Sequence, residues 1–402
     1  MKRRRVKITG IGPVTPAGIG REAFWSGILE PVSRVRPYDR LDANDGPLVA
    51  AYLNRFNIAD YVDKTRVPKG TARHALFAVA GAQLALNDAG LDASQLKDET
   101  TMIVVGSSLL DFGSIGDAIE SVNKRGARGA QARVVYTASG TSTPNAINLA
   151  LGKAARTMSM QTSCCSGLDA MGYAADLIAS GEVDVALCGG TEAPLHRFPI
   201  LELRAAGLTP ETTDLAGSVA RPFDLWRTTG VISEGACMFV LEPEDSPRPG
   251  YGFIAGYAFA NDAYLDLCGG LVSAGRLAMA QAGVRPVQID AINAWGPGHK
   301  LIDQAEAVSL VRLFGDQLKQ VPVVSIKGAI GNALGATPAI QVAAAVLAQR
   351  HALLPPTVNW RYPDPACPLN LSAQPRAVPQ SCTLVNAHGV GSVNACMVLT
   401  PC

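Results

Sequence analysis

No run of about eighteen apolar residues is free of charges or breakers, which excludes a transmembrane helix. No sign of charge dominates either. Across 402 residues, 35 Lys plus Arg balance 34 Asp plus Glu, so nothing global calls for nucleic acid or an anionic membrane surface. The nine cysteines form no CxxC pair and no zinc spacing, and the possible metal ligands are not clustered. A reduced, cytoplasmic protein without a metal fits that pattern. Phosphate cradles are missing as well. "GIGPVTPAG" and "GVGSVN" are glycine-rich, but neither follows G-x-G-x-x-G, and no GxxxxGK[ST] occurs, so no nucleotide cofactor is expected. The basic residues 2–5 begin like a secretory leader, yet "VKITGIGPVTPAG" behind them is broken by glycine and proline and supplies no apolar h-region.

The chain has ample material for a core. At 48% hydrophobic residues it can fold as one large domain or as two intimately packed halves. Cysteines such as Cys188 and Cys396 stand in apolar surroundings and read as small buried thiols. Short β-branched runs alternate with alanine-rich amphipathic segments, which argues for an α/β architecture. "RVKITGIG", "TMIVVGSS", "TMSMQTSC" and "VDVALCGG" read as strands. "ARHALFAVAGAQLALNDAG" and "CSGLDAMGYAADLIASG" read as helices stopped by Gly90 and Gly181. The second part repeats the order. "YGFIAGYAFA", "QIDAINAWG", "VPVVSIK", "CTLVNAHG" and "NACMVLT" read as strands, with helices in "GGLVSAGRLAMAQAG", "IDQAEAVSLVRLFG" and "NALGATPAIQVAAAVLAQR". Two similar βα blocks, 1–250 and 251–402, suggest a duplication. The expected product is two sheets with helices between and outside them, joined near the proline-rich "EPEDSPRPG".

"QTSCCSGLDAMG" sets Cys164 and Cys165 between a buried strand and a helix. A thiol at a helix N-terminus meets the positive end of the macrodipole, which favours thiolate. Ser163, Ser166 and Gly167 allow a sharp turn and the close approach of an acyl group, and N–H groups there could hold a developing oxyanion. Residue types alone fit equally a pair of core cysteines behind a glycine turn.

The longer run "QTSCCSGLDAMGYAADLIASGEVDVALCGGTEAPL" resembles the nucleophile region of the β-ketoacyl-acyl carrier protein synthases, within the thiolase fold. It is most similar to ketosynthase subunits of type II polyketide systems. "RRRVKITGIGPVTPAGIGREAFW", "ARPFDLWRTTGVISEGACMFVLE", "NDAYLDL" and "SIKGAIGNALGATPAIQVAAAVLA" match other family segments in the right order. The resemblance implies a layered α-β-α-β-α sandwich of duplicated βαβαβ halves. It also implies Cys164 as nucleophile, and a substrate carried on the phosphopantetheine of an acyl carrier protein or of coenzyme A, with no other cofactor. A homodimer, or a heterodimer with another ketosynthase subunit, is implied as well.

A condensing member of this branch uses two histidines beside the cysteine. The first belongs to a motif like "NAHGTGT…D…EA", whereas this chain reads "NAWGPGHKLIDQAEA". Trp295 takes its place, Pro297 and His299 replace two threonines of the pantetheine site, and Asp303 and Glu306 keep the register. His299 reads as a surface or arm-contacting residue, or else as a rescue of the lost role. Trp295 reads as packing that fills substrate space. The second histidine follows a lysine; here the lysine is Lys327 and the site holds Asn332, as in initiating ketosynthases and chalcone synthases. Gln341 stands where a glutamate supports that lysine. "NAHGVGSVN" puts His388 where an aromatic gate and an oxyanion-hole N–H sit, so His388 either pairs with Cys164 or plugs the site. Tyr264, in the mobile-loop match, joins His299 and Trp295 on the substrate arm. His74, His196 and His351 have no partner motif and read as surface residues.

Two functions follow. One is an acyl-thioester enzyme acting through Cys164, slow in decarboxylative condensation, because each positioned donor it lacks is worth roughly 3 kcal/mol in the transition state. The other is a non-catalytic partner like the chain-length factors, which lose the histidines and usually the cysteine too. A thiolase-like or hydrolytic activity ranks third.

Overall fold

A computed structural model describes residues 3–41, 43–263 and 266–402. Two sets of strands share one topology. Counted along the chain, the first set is Val6–Thr15, Thr101–Gly106, Arg156–Met160, Val185–Glu192 and Gly235–Pro243, lying side by side in the order one-five-four-two-three. The second set is Gly252–Asn261, Ala291–Asn293, Val323–Val324, Thr383–Gly389 and Val393–Thr400, in that same order. In both, strand two runs parallel to strands three and four, and strand five runs antiparallel to strands one and four. Parallel neighbours need crossover helices, which is why alanine-rich segments alternate with β-branched ones.

Two features differ from the sequence reading. The strand sets are not separate sheets: Val6–Ile8 pairs antiparallel with Gly252–Ile254, so hydrogen bonding continues from one set into the other. Strand Val6–Thr15 is long enough to pair with Gly235–Pro243 along most of its length and still offer its first residues to a second neighbour. In addition, "QIDAINAWG" and "VPVVSIK" keep only short strands, Ala291–Asn293 and Val323–Val324, because the chain soon leaves the ladder for turns held by side chains.

The layers follow from helix patterning. Ser166–Ser180 and Thr337–His351 touch strands of both sets and each other, so they form the middle layer. Every residue of the latter from Thr337 to Gln349 is buried, as a helix apolar on all sides must be. Arg73–Ala89 and Gly269–Ala282 cover the outer faces. The middle layer is tight: a Cβ on Gly167 would lie 2.6 Å from Gly335 O, so the two central turns meet backbone to backbone.

His74 is a correction. It is buried in Arg73–Ala89 rather than on the surface, with Nε2 3.0 Å from Thr143 Oγ1. His74 falls on the side of that helix that packs on the strands, while its neighbour Arg73 stays exposed. His351 is exposed and stacks on Trp25 with ring centroids 5.1 Å apart, and His196 is half-buried beside Asp117 at 3.1 Å.

Candidate active site

The C-terminal ends of strands two, three and four in each set converge where the middle helices begin, the usual place for ligands in parallel sheets. Cys164 stands there. Strand Arg156–Met160 runs through a short 3-10 turn, Ser163–Cys165, into helix Ser166–Ser180. Ser163 adopts φ +54°, a left-handed conformation costly for a non-glycine residue, and this bends the chain so that the next side chain projects from the turn. The end of Thr383–Gly389 lies directly over it: a Cβ on Gly389 would be 3.1 Å from Cys164 N.

Cys164 lines a cavity of about 60 Å³ together with Trp295, His299, Asn332, His388 and Val390. The sulfur's residue is 7% exposed while Val390, at the rim, is 61% exposed, so the cavity lies just beneath the surface. Larger hollows lie elsewhere, such as one of about 570 Å³ lined by Arg133, Tyr136 and Thr157, but it contains no cysteine or histidine. The thiol is not the expected resting thiolate. Burial pushes its pKa up; the Ser163 hydroxyl and the Val390 N–H act against that, and the nearby Glu192 charge adds to it. Neither Cys164 N–H nor Val390 N–H donates to a backbone carbonyl among the described residues. The second N–H beside the sulfur is therefore Val390's and not that of His388, which still sits in the ladder opposite Asn394.

Trp295 fills the place of the first imidazole. Its turn is held by buried carboxylates on helix Lys300–Phe314. Glu306 accepts Trp295 N–H at 2.8 Å, Gly296 N–H at 2.7 Å and Asn386 Nδ2–H at 3.0 Å. Asp303 accepts Phe223 N–H at 2.7 Å and Gly298 N–H at 3.1 Å, and burial pushes its pKa up to about 7. Lys327 is fully buried beneath the indole, with Nζ 3.9 Å from the ring centroid and donating to Trp295 O. Burial lowers its pKa to about 7, opposed by the charges of Glu306 and Asp303. Gln341 Oε1 accepts from the same Nζ at 3.2 Å, while Gln341 Nε2 reaches Ala294 O at 2.9 Å and Asn386 O at 3.1 Å. Lys327 does not line the cavity; it supports the residue that does.

The hydrogen bonds fix which atoms remain free. Asn332 Oδ1 accepts Leu334 N–H at 3.2 Å and Thr337 Oγ1–H at 3.1 Å, and its Nδ2–H group has no partner among the described residues. His299 caps helix Lys300–Phe314, its Nδ1 accepting Ile302 N–H at 3.4 Å, so its proton sits on Nε2. Burial and then the Arg227 charge hold its pKa below the usual histidine value. His388 Nδ1 lies 2.5 Å from Asn394 Oδ1, and Asn394 Nδ2 donates to Asp262 Oδ2 at 3.0 Å and Ser392 O at 3.4 Å. A carboxylate and a carbonyl only accept, so Asn394 must show its oxygen to the ring and His388 must donate from Nδ1. In the neutral ring, Nε2 is then the acceptor nitrogen. No hydrogen bond joins His388 to Cys164 among the described residues.

Thus Cys164, Trp295, His299, Asn332 and His388 meet in one cavity, Lys327 lies behind it, and Tyr264 falls outside the described residues. Four contributors escaped the sequence reading. Val390 acts through its backbone and leaves no side-chain signal. Asn394 and Asp262 support His388 across two loops. Glu192, ending the strand Val185–Glu192, is fully buried and accepts from Ser107 Oγ, Ser108 N, Leu109 N and Gly335 N; an acidic residue closing an apolar strand was the available signal.

Residues 3–246 match the family model described as "Beta-ketoacyl synthase, N-terminal domain", and residues 251–361 match "Beta-ketoacyl synthase, C-terminal domain". The chain belongs to the β-ketoacyl synthase family, and its fold is the thiolase fold. It is 31% identical over 392 residues to the tetracenomycin polyketide synthase ketoacyl synthase alpha subunit of Streptomyces glaucescens, covering 91% of this chain and 90% of that one. It is 29% identical over 411 residues to 3-oxoacyl-(acyl-carrier-protein) synthase 2 of Coxiella burnetii, covering 100% of this chain and 99% of that one. The solved ishigamide ketosynthase/chain length factor superposes with a TM-score of 0.92 at 29% identity, covering 100% of both chains. These relatives place the chain among the ketosynthases of polyketide and fatty acid biosynthesis. Among the described residues no helix is long and apolar enough to cross a membrane.

Proposed function

We propose that this chain is an atypical ketosynthase-family acyltransferase that forms an acyl thioester on Cys164, from an acyl carrier protein or coenzyme A. The carrying observation is that Cys164, His388 and Val390 line one small cavity, where neither Cys164 N–H nor Val390 N–H donates to a backbone carbonyl among the described residues and His388 turns Nδ1 to Asn394. In this reading His388 Nε2 takes the thiol proton as Sγ attacks the donor's carbonyl carbon. The two N–H groups hold the oxyanion, and its collapse expels the carrier's pantetheine sulfur, which takes the proton from His388. Sγ–C forms and the carrier's S–C bond breaks, so atoms and charge balance. A neutral resting thiol fits such base assistance. Decarboxylative condensation is slow, because no imidazole stands at Trp295 or Asn332.

Intact-mass spectrometry after incubation with an acyl-carrier or acyl-coenzyme A thioester tests this. A mass increase lost in Cys164→Ala is expected; an unmodified chain under all donors overturns it. Free thiols throughout the described chain fit a reducing, cytoplasmic setting. Among the described residues strand Arg156–Met160 pairs with Thr101–Gly106 on one side only, and we take its open edge as the surface for a homodimer or a heterodimer with another ketosynthase subunit.

One observation favours the second reading, a partner subunit of the chain-length-factor kind: the cavity of about 60 Å³ has room for about two waters and no long acyl chain. Stable co-purification with a complete ketosynthase, with no adduct on this chain, is its signature.

A further inference from the structure

Asp169 is a buried carboxylate that the acyl-transfer step does not use. It stands one turn into helix Ser166–Ser180, is 5% exposed, and pairs with no cation among the described residues. Its two oxygens are divided between the strand sets. Oδ2 accepts from Oγ1 of Thr162, the residue just before the turn Ser163–Cys165, and Oδ1 accepts from Tyr257 Oη at 2.7 Å, on strand Gly252–Asn261. Gly172 makes the second contact possible. A Cβ there would lie 2.2 Å from the Tyr257 ring, so the missing side chain lets the ring lie against the helix and reach back one turn.

Holding the fold does not require a charged group at this place. Burial pushes the Asp169 pKa up, and the Thr162 and Tyr257 hydroxyls only partly offset that. An uncharged amide would avoid the cost of burying charge, but it offers one acceptor oxygen, whereas a carboxylate takes both hydroxyls at once. What those hydroxyls secure is the nucleophile turn. Ser163 keeps its φ of +54° only while its neighbours are fixed. Ser166 Oγ accepts Thr162 N–H at 2.9 Å and donates to Ser163 O at 2.5 Å. Asp169 fastens the side chain of the same Thr162, and through Tyr257 it ties the turn to the strand set that supplies His388 and Asn332.

We propose that Asp169 is a positioning residue for the nucleophile: by holding Thr162 and Tyr257 together it keeps Ser163 left-handed and Cys164 Sγ presented to the cavity. The proposal deepens the acyltransferase reading and rests on it for the use made of the sulfur. The titratable groups around the carboxylate are Cys165 and Asp176 on its own helix, Tyr257 on the facing strand and Cys396 on the next. Burial raises the pKa of Cys165, Cys396 and Tyr257, so all three stay neutral, and Asp176 is exposed and paired with Arg3. Asp169 is therefore the buried group of this cluster that titrates in acid.

Alkylation of Cys164 by iodoacetamide, scored peptide by peptide against the exposed Cys402, reads presentation of the sulfur without any acyl donor. At pH 8, Asp169→Asn and Tyr257→Phe, which each keep one of the two hydroxyl contacts, should be alkylated at Cys164 about tenfold more slowly than the unmodified chain. Asp169→Ala, which keeps neither, should be slower by about 100-fold, and Cys402 should react alike in all. The deficit of Asp169→Asn should shrink as pH falls from 8 to 5, because a protonated Asp169 also loses one acceptor and the raised pKa brings that loss above the usual carboxylate range. Tyr257→Phe and Asp169→Asn carry the test should Asp169→Ala not fold. Alkylation of Cys164 in both of those variants as fast as in the unmodified chain or faster, or an Asp169→Asn deficit that stays constant from pH 8 to pH 5, overturns the proposal. The expected deficits with no acyl adduct on the unmodified chain would sink the acyltransferase reading and leave the positioning role standing. An adduct without the deficits would do the reverse.

Discussion

The corresponding strand ends of the two sets have been put to opposite uses. In the first set, strand four ends in Glu192, whose carboxylate takes four donors, one of them Gly335 N–H at 3.3 Å from the other set. In the second set, strand four ends near His388, and Nε2 is left open. Strand three of the first set leads to Cys164, and strand three of the second leads past Lys327 to Asn332, whose Nδ2 is unspent. A group that holds the fold has its hydrogen-bonding capacity saturated; a group that faces substrate keeps one valence free. The nucleophile comes from one set and the polar groups around it from the other, so the site exists only where both meet.

The sharpest way to break this comparison is to remove the saturated carboxylate. Glu192→Ala leaves buried N–H groups orphaned and should lower unfolding stability by about 4 kcal/mol in urea titration, while Glu192→Gln, which keeps one acceptor, should lose less. A loss below about 1 kcal/mol would show that Glu192 is not a structural anchor. Next comes His74, whose pKa burial pulls from 6.5 to about 4. The folded state holds it neutral while the unfolded state takes a proton, so its contribution is complete above pH 6.5 and is lost as pH falls toward 4. His74→Gln should spare the protein roughly 3 kcal/mol of that acid loss, read as the difference between urea midpoints at pH 7 and pH 4. At the open valence, His388→Phe should slow formation of the Cys164 adduct about 100-fold, with its melting temperature little changed. The smallest effect is expected at His351, which reaches Trp25 of the other strand set from an exposed position. His351→Ala should cost about 0.5 kcal/mol in the same titration.

Much of this organisation is written locally. Runs such as "VDVALCGG" and glycines at left-handed positions, Gly90 at φ +62° and Gly181 at φ +85°, mark elements that the chain forms as expected. The turn at Cys164 and the substitutions at Trp295, Asn332 and His388 are equally visible, because they interrupt patterns of small residues and histidines. What was hidden depends on partners distant in sequence. Nothing near His74 announces Thr143, and nothing near Lys327 announces that it ends beneath an indole. The thiol expectation inverted because helix-end polarity is local, whereas desolvation comes from every layer packed above the turn. Val390 was overlooked because the contribution comes from its main chain, which any residue could supply.

Helix Thr337–His351 has one more implication. Its side chains from Thr337 to Gln349 are covered on every side, by strands belonging to both ends of the polypeptide. Neither portion could be released into water by itself without baring that apolar cylinder, so a cut through residues 244–251 should yield fragments that aggregate unless they are produced together. Strand Thr383–Gly389, which follows the helix in the chain, packs against it as strands Gly235–Pro243 and Val185–Glu192 do, so its cover is complete only when both parts of the chain are present.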